Sequence, residues 1–188
     1  MEDMILFAEE KKDIQSAWDR TVPIVARGKV VTVYLTSEIY EPECYSELCY
    51  TLENTEADQV RLIINNDGGN MYSMLDILDS MSKCQCEIVG VLKGSVASAA
   101  TMIAIACDKL EVANHTSWLT HYYSGGLGGK GNEIKAKYDF EAVEIPRMFR
   151  DLHAGFLTPE EIENVIKGQD MWLNKEQILE RFARKSIK

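Results

Sequence analysis

The chain predicts an α/β fold built on a mainly parallel sheet, and three observations carry that prediction. Apolar, β-branched runs recur along it: Lys29–Thr36 (KVVTVYLT), Val60–Asn65 (VRLIIN) and Glu87–Leu92 (EIVGVL). Segments of helical spacing or composition stand between them. The turns leading from strand to helix are rich in glycine and other small residues. Strands that alternate with helices in this way need crossover connections, which join parallel neighbours.

The first 28 residues carry the weakest pattern, with helical composition over Glu9–Arg20 and punctuation at Pro23 and Gly28. They are set apart as an N-terminal segment, and residues 29–188 form one domain. After the first strand, Glu41-Pro42-Glu43 opens a helix that extends to Asn54, with Pro in the first turn and acids placed to suit the helix dipole. Met71, Met74, Leu75, Leu78 and Met81 share one face of a helix over Met71–Lys83. Gly94–Asp108 carries no charge until its end and predicts a buried helix. Lys109–Ala113 and Ser117–Tyr122 predict short strands. A glycine-rich stretch over residues 125–131 leads into a charged helix from Asn132 to about His153, which Pro146 is expected to interrupt. Thr158-Pro159-Glu160-Glu161 and Asn174-Lys175-Glu176-Gln177 are capping boxes that open two further helices.

Composition narrows the function. Against 20 Lys and Arg stand 30 Asp and Glu, a formal charge of −10. Nucleic acid and anionic membranes both demand a concentrated basic surface, so neither is expected as a partner. No apolar run approaches the ~18 residues of a membrane span, and the start has acidic flanks unlike a secretory signal, so a cytoplasmic location is expected. The five cysteines contain no Cys-x-x-Cys, and Cys84-x-Cys86 has no histidine near it in sequence, so neither a metal site nor a cofactor is expected.

Two strand-to-helix turns attract chemistry, because sites in α/β sheets form at the carboxyl ends of strands. In the first, Asn66-Asp67-Gly68-Gly69, the paired glycines let backbone approach a ligand, though a plain tight turn has the same composition. In the second, Gly94-Ser95-Val96-Ala97-Ser98-Ala99-Ala100, Ser98 lies among residues too small to obstruct a substrate, and the Ala99 N–H is available to a developing oxyanion. Small residues chosen for helix packing would read the same way. A serine nucleophile needs a base, and the chain has three histidines. His121 ends a strand, whereas His115 in a turn and His153 on the charged helix are expected to face solvent. Asp170, followed by Met171 and Trp172, is the candidate to orient the base.

Taken in chain order, these motifs resemble the Clp protease proteolytic subunit family of serine peptidases. Ile63-Ile64-Asn65-Asn66-Asp67-Gly68-Gly69 is similar to that family's Tyr-Ile-Asn-Ser-Pro-Gly-Gly. Gly94-Ser95-Val96-Ala97-Ser98-Ala99 resembles its Gly-x-Ala-Ala-Ser-Met nucleophile turn, and Thr116–His121 its strand ending in the catalytic His. Leu127-Gly128-Gly129-Lys130-Gly131 and Asp170-Met171-Trp172-Leu173-Asn174 resemble its Leu-Gly-Gly-x-Gly and Asp-x-Phe-Leu-Ser. The likeness covers about residues 30 to 180.

The resemblance implies a Clp protease/crotonase-like α/β fold of repeated β-β-α and βαβ units, with a protruding handle over about residues 123–153. It implies Ser98 as nucleophile, His121 as general base and acid, and Asp170 as its orienting partner. The Gly69 and Ala99 N–H groups would form the oxyanion hole, and Gly68, Gly126, Leu127 and Gly128 would bind substrate. Protein or peptide substrates, a homo-oligomeric ring or stacked double ring, and an ATP-driven unfoldase are the implied partners. The sequence departs from the family at Asp67, where the family has Pro, and at Tyr122-Tyr123, where it has Gln-Pro. It also departs at Pro146 and at both ends, where the signature for the unfoldase and the Gly-Leu-Ile-Asp ending are replaced. A capsid-maturation protease of phage type, working without an ATPase, fits those departures as an alternative. A non-catalytic subunit and a crotonase-type acyl-CoA enzyme are the other readings.

Overall fold

The computed structural model describes residues 22–185, so the helical composition noted over Glu9–Arg20 lies outside the described residues. A seven-stranded sheet forms the centre of the fold. Its strands are β1 (Ile24–Arg27), β2 (Val30–Leu35), β3 (Gln59–Asn66), β4 (Glu87–Ala97), β5 (Lys109–Val112), β6 (Ser117–Thr120) and β7 (Met171–Leu173). Among the described residues six helices complete it: α1 (Ser46–Asn54), α2 (Met71–Lys83), α3 (Ala99–Ala106), α4 (Gly131–His153), α5 (Pro159–Ile166) and α6 (Lys175–Lys185). A 3-10 turn at Pro42–Tyr45 leads into α1.

The neighbours run β1-β2-β3-β4-β6-β7, with β5 also paired to β4. Pairings among β2, β3, β4, β5 and β6 are parallel, while β1 and β7 join antiparallel at the two edges. The mainly parallel α/β fold expected from the sequence is therefore the observed one. The interior strands alternate or run continuously buried; Val33, Val60, Leu62, Ile64, Leu92 and Val96 lie in the core with the Ile77 and Met74 face of α2. Burying each such side chain stabilises the fold by about 1.5–3 kcal/mol before entropy is counted.

One strand organises the functional end. β4 extends five residues beyond the Glu87–Leu92 expected for it, and its two halves have different neighbours. Val89–Leu92 pair with β5, whereas Ser95–Ala97 pair with β6. Between the halves the β3–β4 register shifts: Ile64 pairs with Leu92, but Asn66 pairs with Val96. Gly94 sits in this irregularity at φ +59, a conformation that favours glycine. The buried helix expected from Gly94 thus begins only at Ala99, because hydrogen-bonding partners on β6 claim residues 95–97 as strand.

Two further expectations are corrected. α4 is continuous through Pro146. The donor that Pro146 lacks would have reached the Ala142 carbonyl, and Ala142 is exposed, so water can satisfy that oxygen. His153, expected at the surface, is fully buried, whereas His115 is exposed. Ile145, Phe149 and His153 recur every four residues and form the buried stripe of an otherwise charged helix. The His153 ring stacks on Phe149 with centroids 4.0 Å apart, and its Nδ1–H donates to the Phe149 carbonyl at 2.9 Å. Its Nε2 is buried without a partner.

Burial pushes the His153 pKa down to about 4, so the folded protein holds it neutral where an unfolded chain would protonate it near pH 6.5. The unfolded state therefore binds more protons across that window. The stabilising contribution is complete above pH 6.5 and is lost as pH falls through about 4. The unfolding free energy from urea titrations should decline between these pH values, by an amount of order 3 kcal/mol. His153→Phe should flatten that part of the profile.

Candidate active site

Ser98 stands between β4 and α3. Among the described residues it is the one non-glycine with positive φ, at φ 54 and ψ −128. Such a conformation costs about 1–3 kcal/mol and persists only where neighbours over-determine it. Here they do. The Ser98 N–H donates to the Leu119 carbonyl of β6 at 2.9 Å. Its carbonyl accepts from the Thr101 N–H at 2.9 Å and from the Thr101 hydroxyl at 2.6 Å, which closes the first turn of α3. Strand pairing on one side and helix initiation on the other leave the residue no other backbone path.

The second turn meets the first. Gly68, at φ +96, lies so close to the Ser98 turn that an added Cβ would fall 2.6 Å from Ser98 Cβ, 2.8 Å from the Ala97 carbonyl oxygen and 2.9 Å from the Ala99 nitrogen. Gly69 is equally constrained by Ile39, whose carbonyl oxygen would lie 2.2 Å from its Cβ. The Ile39 N–H donates to the Gly68 carbonyl at 2.8 Å and the Asn70 N–H to the Ile39 carbonyl at 2.7 Å. Gly68 N–H is taken up by Asn66 Oδ1 at 2.7 Å, an Asx turn, while Asn66 Nδ2 donates to the Ser37 carbonyl. Among the described residues no protein acceptor takes the Gly69 or Ala99 N–H. Ala99 is the first residue of α3, so its N–H has no acceptor within the helix.

A cleft of about 960 Å³ opens at this junction, lined by Gly68, Gly69, Ser98, Ala99, His121, Gly126 and Leu127. Met71, Met102, Tyr123 and Phe149 give it apolar wall; Glu38, Asp67, Lys137 and Glu141 give it charge. Gly128 lies outside this lining. The cleft size is that of a site that encloses a ligand of several residues or one small molecule.

His121 follows β6 directly. Its Nδ1–H donates to the carbonyl of Tyr122 at 2.6 Å. An acceptor there fixes the proton on Nδ1 and leaves Nε2 as the basic nitrogen, the tautomer required of a general base. Asp170 precedes β7, and the last β6–β7 pair is Thr120 with Met171. His121 and Asp170 each adjoin a member of that last pair in sequence and lie outside the ladder. The carboxylate is exposed and makes no hydrogen bond or ion pair among the described residues. The structure therefore brings Ser98, His121 and both backbone donors to one cleft, whose lining does not include Asp170.

Residues 15–180 match the Clp protease family. The chain belongs to that family. It is 28% identical over 177 residues to the ATP-dependent Clp protease proteolytic subunit 3 of Rhizobium meliloti, covering 90% of this chain and 88% of that protein. It is 29% identical over 160 residues to proteolytic subunit 2 of Pseudomonas aeruginosa, covering 81% of this chain and 78% of that protein. Proteolytic subunit 2 of Thermobifida fusca is 26% identical over 176 residues, covering 89% of this chain and 84% of that protein. The resemblance read from the motifs is thus a true family relation at low identity.

Some contributors to the site carried only faint signals in the sequence. Asn66 was legible as an Asn two residues before Gly, the spacing of an Asx turn. Thr101 and the Leu119 carbonyl gave no motif, because a helix-opening hydroxyl and a strand carbonyl are common to any sheet.

Gly68→Ala should lower the unfolding free energy by about 2–4 kcal/mol, since backbone atoms of residues 97 and 99 must move to admit the methyl group. Gly125→Ala, with nothing within 4 Å of its Cβ, should leave the urea midpoint unchanged.

Proposed function

We propose that this chain is a serine endopeptidase that hydrolyses peptide bonds through Ser98, His121 and Asp170. The observation that carries the reading is the positive-φ Ser98, held over a cleft that it shares with His121. A strained serine at a strand-to-helix turn exposes its hydroxyl and sets the following N–H beside it. Family membership and relatives named as proteolytic subunits support the same activity.

The chemistry follows from the geometry. His121 Nε2 takes the Ser98 proton as Oγ attacks the scissile carbonyl carbon. The carbonyl π electrons move to oxygen, and the Gly69 and Ala99 N–H groups stabilise the resulting oxyanion, each by about 3 kcal/mol when preorganised. Collapse of this adduct expels the amine, which His121 protonates, and leaves an acyl-enzyme. Water, deprotonated by His121, then hydrolyses the ester. Asp170 orients the ring by replacing the Tyr122 carbonyl as acceptor of Nδ1–H, which holds the same tautomer and adds negative charge beside the imidazolium.

Assembly into a ring belongs to this proposal. α4 presents Tyr138, Phe140 and Val143 at 60%, 67% and 65% exposure, an apolar set that subunit pairing would cover. Protein or peptide substrates, action with an ATP-driven partner and a cytoplasmic setting are proposed on the same family basis. Among the described residues no helix is long and apolar enough to cross a membrane. Nothing in the cleft or on α4 favours the capsid-maturation alternative, and the strain maintained at Ser98 argues against a purely architectural subunit.

A fluorophosphonate probe should modify Ser98, as located by mass spectrometry, and His121→Ala should abolish the adduct. Ser98→Ala should remain folded and lose peptide hydrolysis. Asp170→Asn should lower kcat by about 100-fold or more. Hydrolysis by folded Ser98→Ala at the wild-type rate would overturn the assignment, and sedimentation as a monomer at micromolar concentration would overturn the ring.

A further inference from the structure

The two backbone donors assigned to the oxyanion hole belong to different segments of chain. Gly69 follows β3, and Ala99 follows β4. An oxyanion hole works only when both donors are held within a few tenths of an ångström, so something must fix the end of β3 to the end of β4. Regular ladder pairing does this only in part, because the β3–β4 register breaks between Ile64 and Asn66 and a single pair, Asn66 with Val96, follows the break.

Side chains span the break. The Ser95 N–H donates to Asn65 Oδ1 at 3.0 Å, and the Ser95 hydroxyl donates to Asp67 Oδ1. Asp67 immediately precedes Gly68, whose missing Cβ allows contact with Ser98. Ser95 lies three residues before Ser98, in the half of β4 that pairs with β6. Asp67 lines the cleft and makes no ion pair among the described residues, so its carboxylate is committed to that hydroxyl rather than to a neighbouring cation. The bond to an ionised acceptor is of the stronger kind.

We propose that Asp67 is a positioning residue for the oxyanion hole: by accepting from the Ser95 hydroxyl it ties the turn that carries the Gly69 N–H to the strand that leads into Ala99. The proposal rests on the serine-peptidase reading above. Asp67 touches no reacting atom. It acts by fixing the relative position of the two donors, and so on the transition state more than on substrate binding. Loss of the tie therefore lowers kcat and leaves KM in place.

The test compares Asp67→Ala, Ser95→Ala, the double variant and Asp67→Asn in the full assembled protein. A neutral amide retains an oxygen that can accept from Ser95 but removes the charge. Each alanine variant is expected to lose about 10–100-fold in kcat with KM changed less than about 2-fold. The double variant should lose no more than either single one, and Asp67→Asn should keep at least about a third of wild-type kcat. Hydrogen exchange is measured on the same samples and does not depend on catalysis. Peptides covering residues 66–69 and 94–99 should exchange faster in the alanine variants, with thermal unfolding near that of wild type.

Wild-type kcat in both alanine variants would overturn the proposal. So would losses that add in the double variant, or an Asp67→Asn variant as impaired as Asp67→Ala. Unchanged exchange in both segments would overturn the tie itself, whatever the catalytic result. Failure of the peptidase reading has a different signature, namely a wild-type protein that the fluorophosphonate leaves unmodified at Ser98.

Discussion

The backbone of Ser98 is the constraint on which the rest of the site depends. A serine at φ 54 is held against about 1–3 kcal/mol of conformational preference, and the means of holding it dictate the surroundings. The bond to the Leu119 carbonyl requires β6 beside β4, and the two bonds from Thr101 require α3 to begin at once. β4 must therefore leave β5 and take up β6 part-way along, and the register break at Gly94 accomplishes that exchange. The apolar Ala99–Ala106 helix then anchors the turn from below: Ala99, Ala100, Ile103 and Ala104 are all buried. Strain at a single residue is thus balanced by a sheet on one side and a core helix on the other.

His121 shows how, in the proposed mechanism, the same sheet would supply a base without a specialised scaffold. Its position follows from β6, the strand that holds Ser98, so the proposed nucleophile and base share one structural root. The Tyr122 carbonyl already selects the tautomer with Nε2 free, which means that Asp170 is not needed to set the proton's location. What a carboxylate adds is charge complementary to the imidazolium formed during transfer. Asp170 adjoins Met171, the β7 partner of Thr120, so sheet pairing ends one residue short of both groups.

The legible and illegible parts of this protein divide along physical lines. Parallel interior strands announce themselves as apolar runs, and the period of α2 and both capping boxes depend on neighbours in sequence; these appear where expected. Ser98, Gly68 and Gly69 were visible because strained backbone narrows residue choice sharply. The extension of β4 to Ala97 was not visible, since Ser95-Val96-Ala97 becomes strand only through β6, more than 20 residues away. His153 misled because the helix around it is mostly charged. The buried stripe of Ile145, Phe149 and His153 is narrow, and a histidine within it reads as polar until its neighbours are seen. Asp170 was singled out by its place in a motif, and a motif does not say which acceptor His121 Nδ1–H takes in the folded chain.

Precision in this site comes from two different sources. Apolar packing fixes the roots of β3, β4 and α3, because interiors are close-packed and resist displacement. It does not reach the tips, where Asn65, Asp67 and Gly69 are exposed. There the chain relies on directional contacts: Asn66 to Ser37 and Gly68, Asn65 and Asp67 to Ser95, Ile39 to Gly68 and Asn70. Each is worth only about 1 kcal/mol in net stability. Their effect on geometry is larger, since each removes a degree of freedom from a segment that carries a donor. An open cleft must leave its floor exposed to admit a substrate, and polar lacing keeps that floor rigid while it remains accessible.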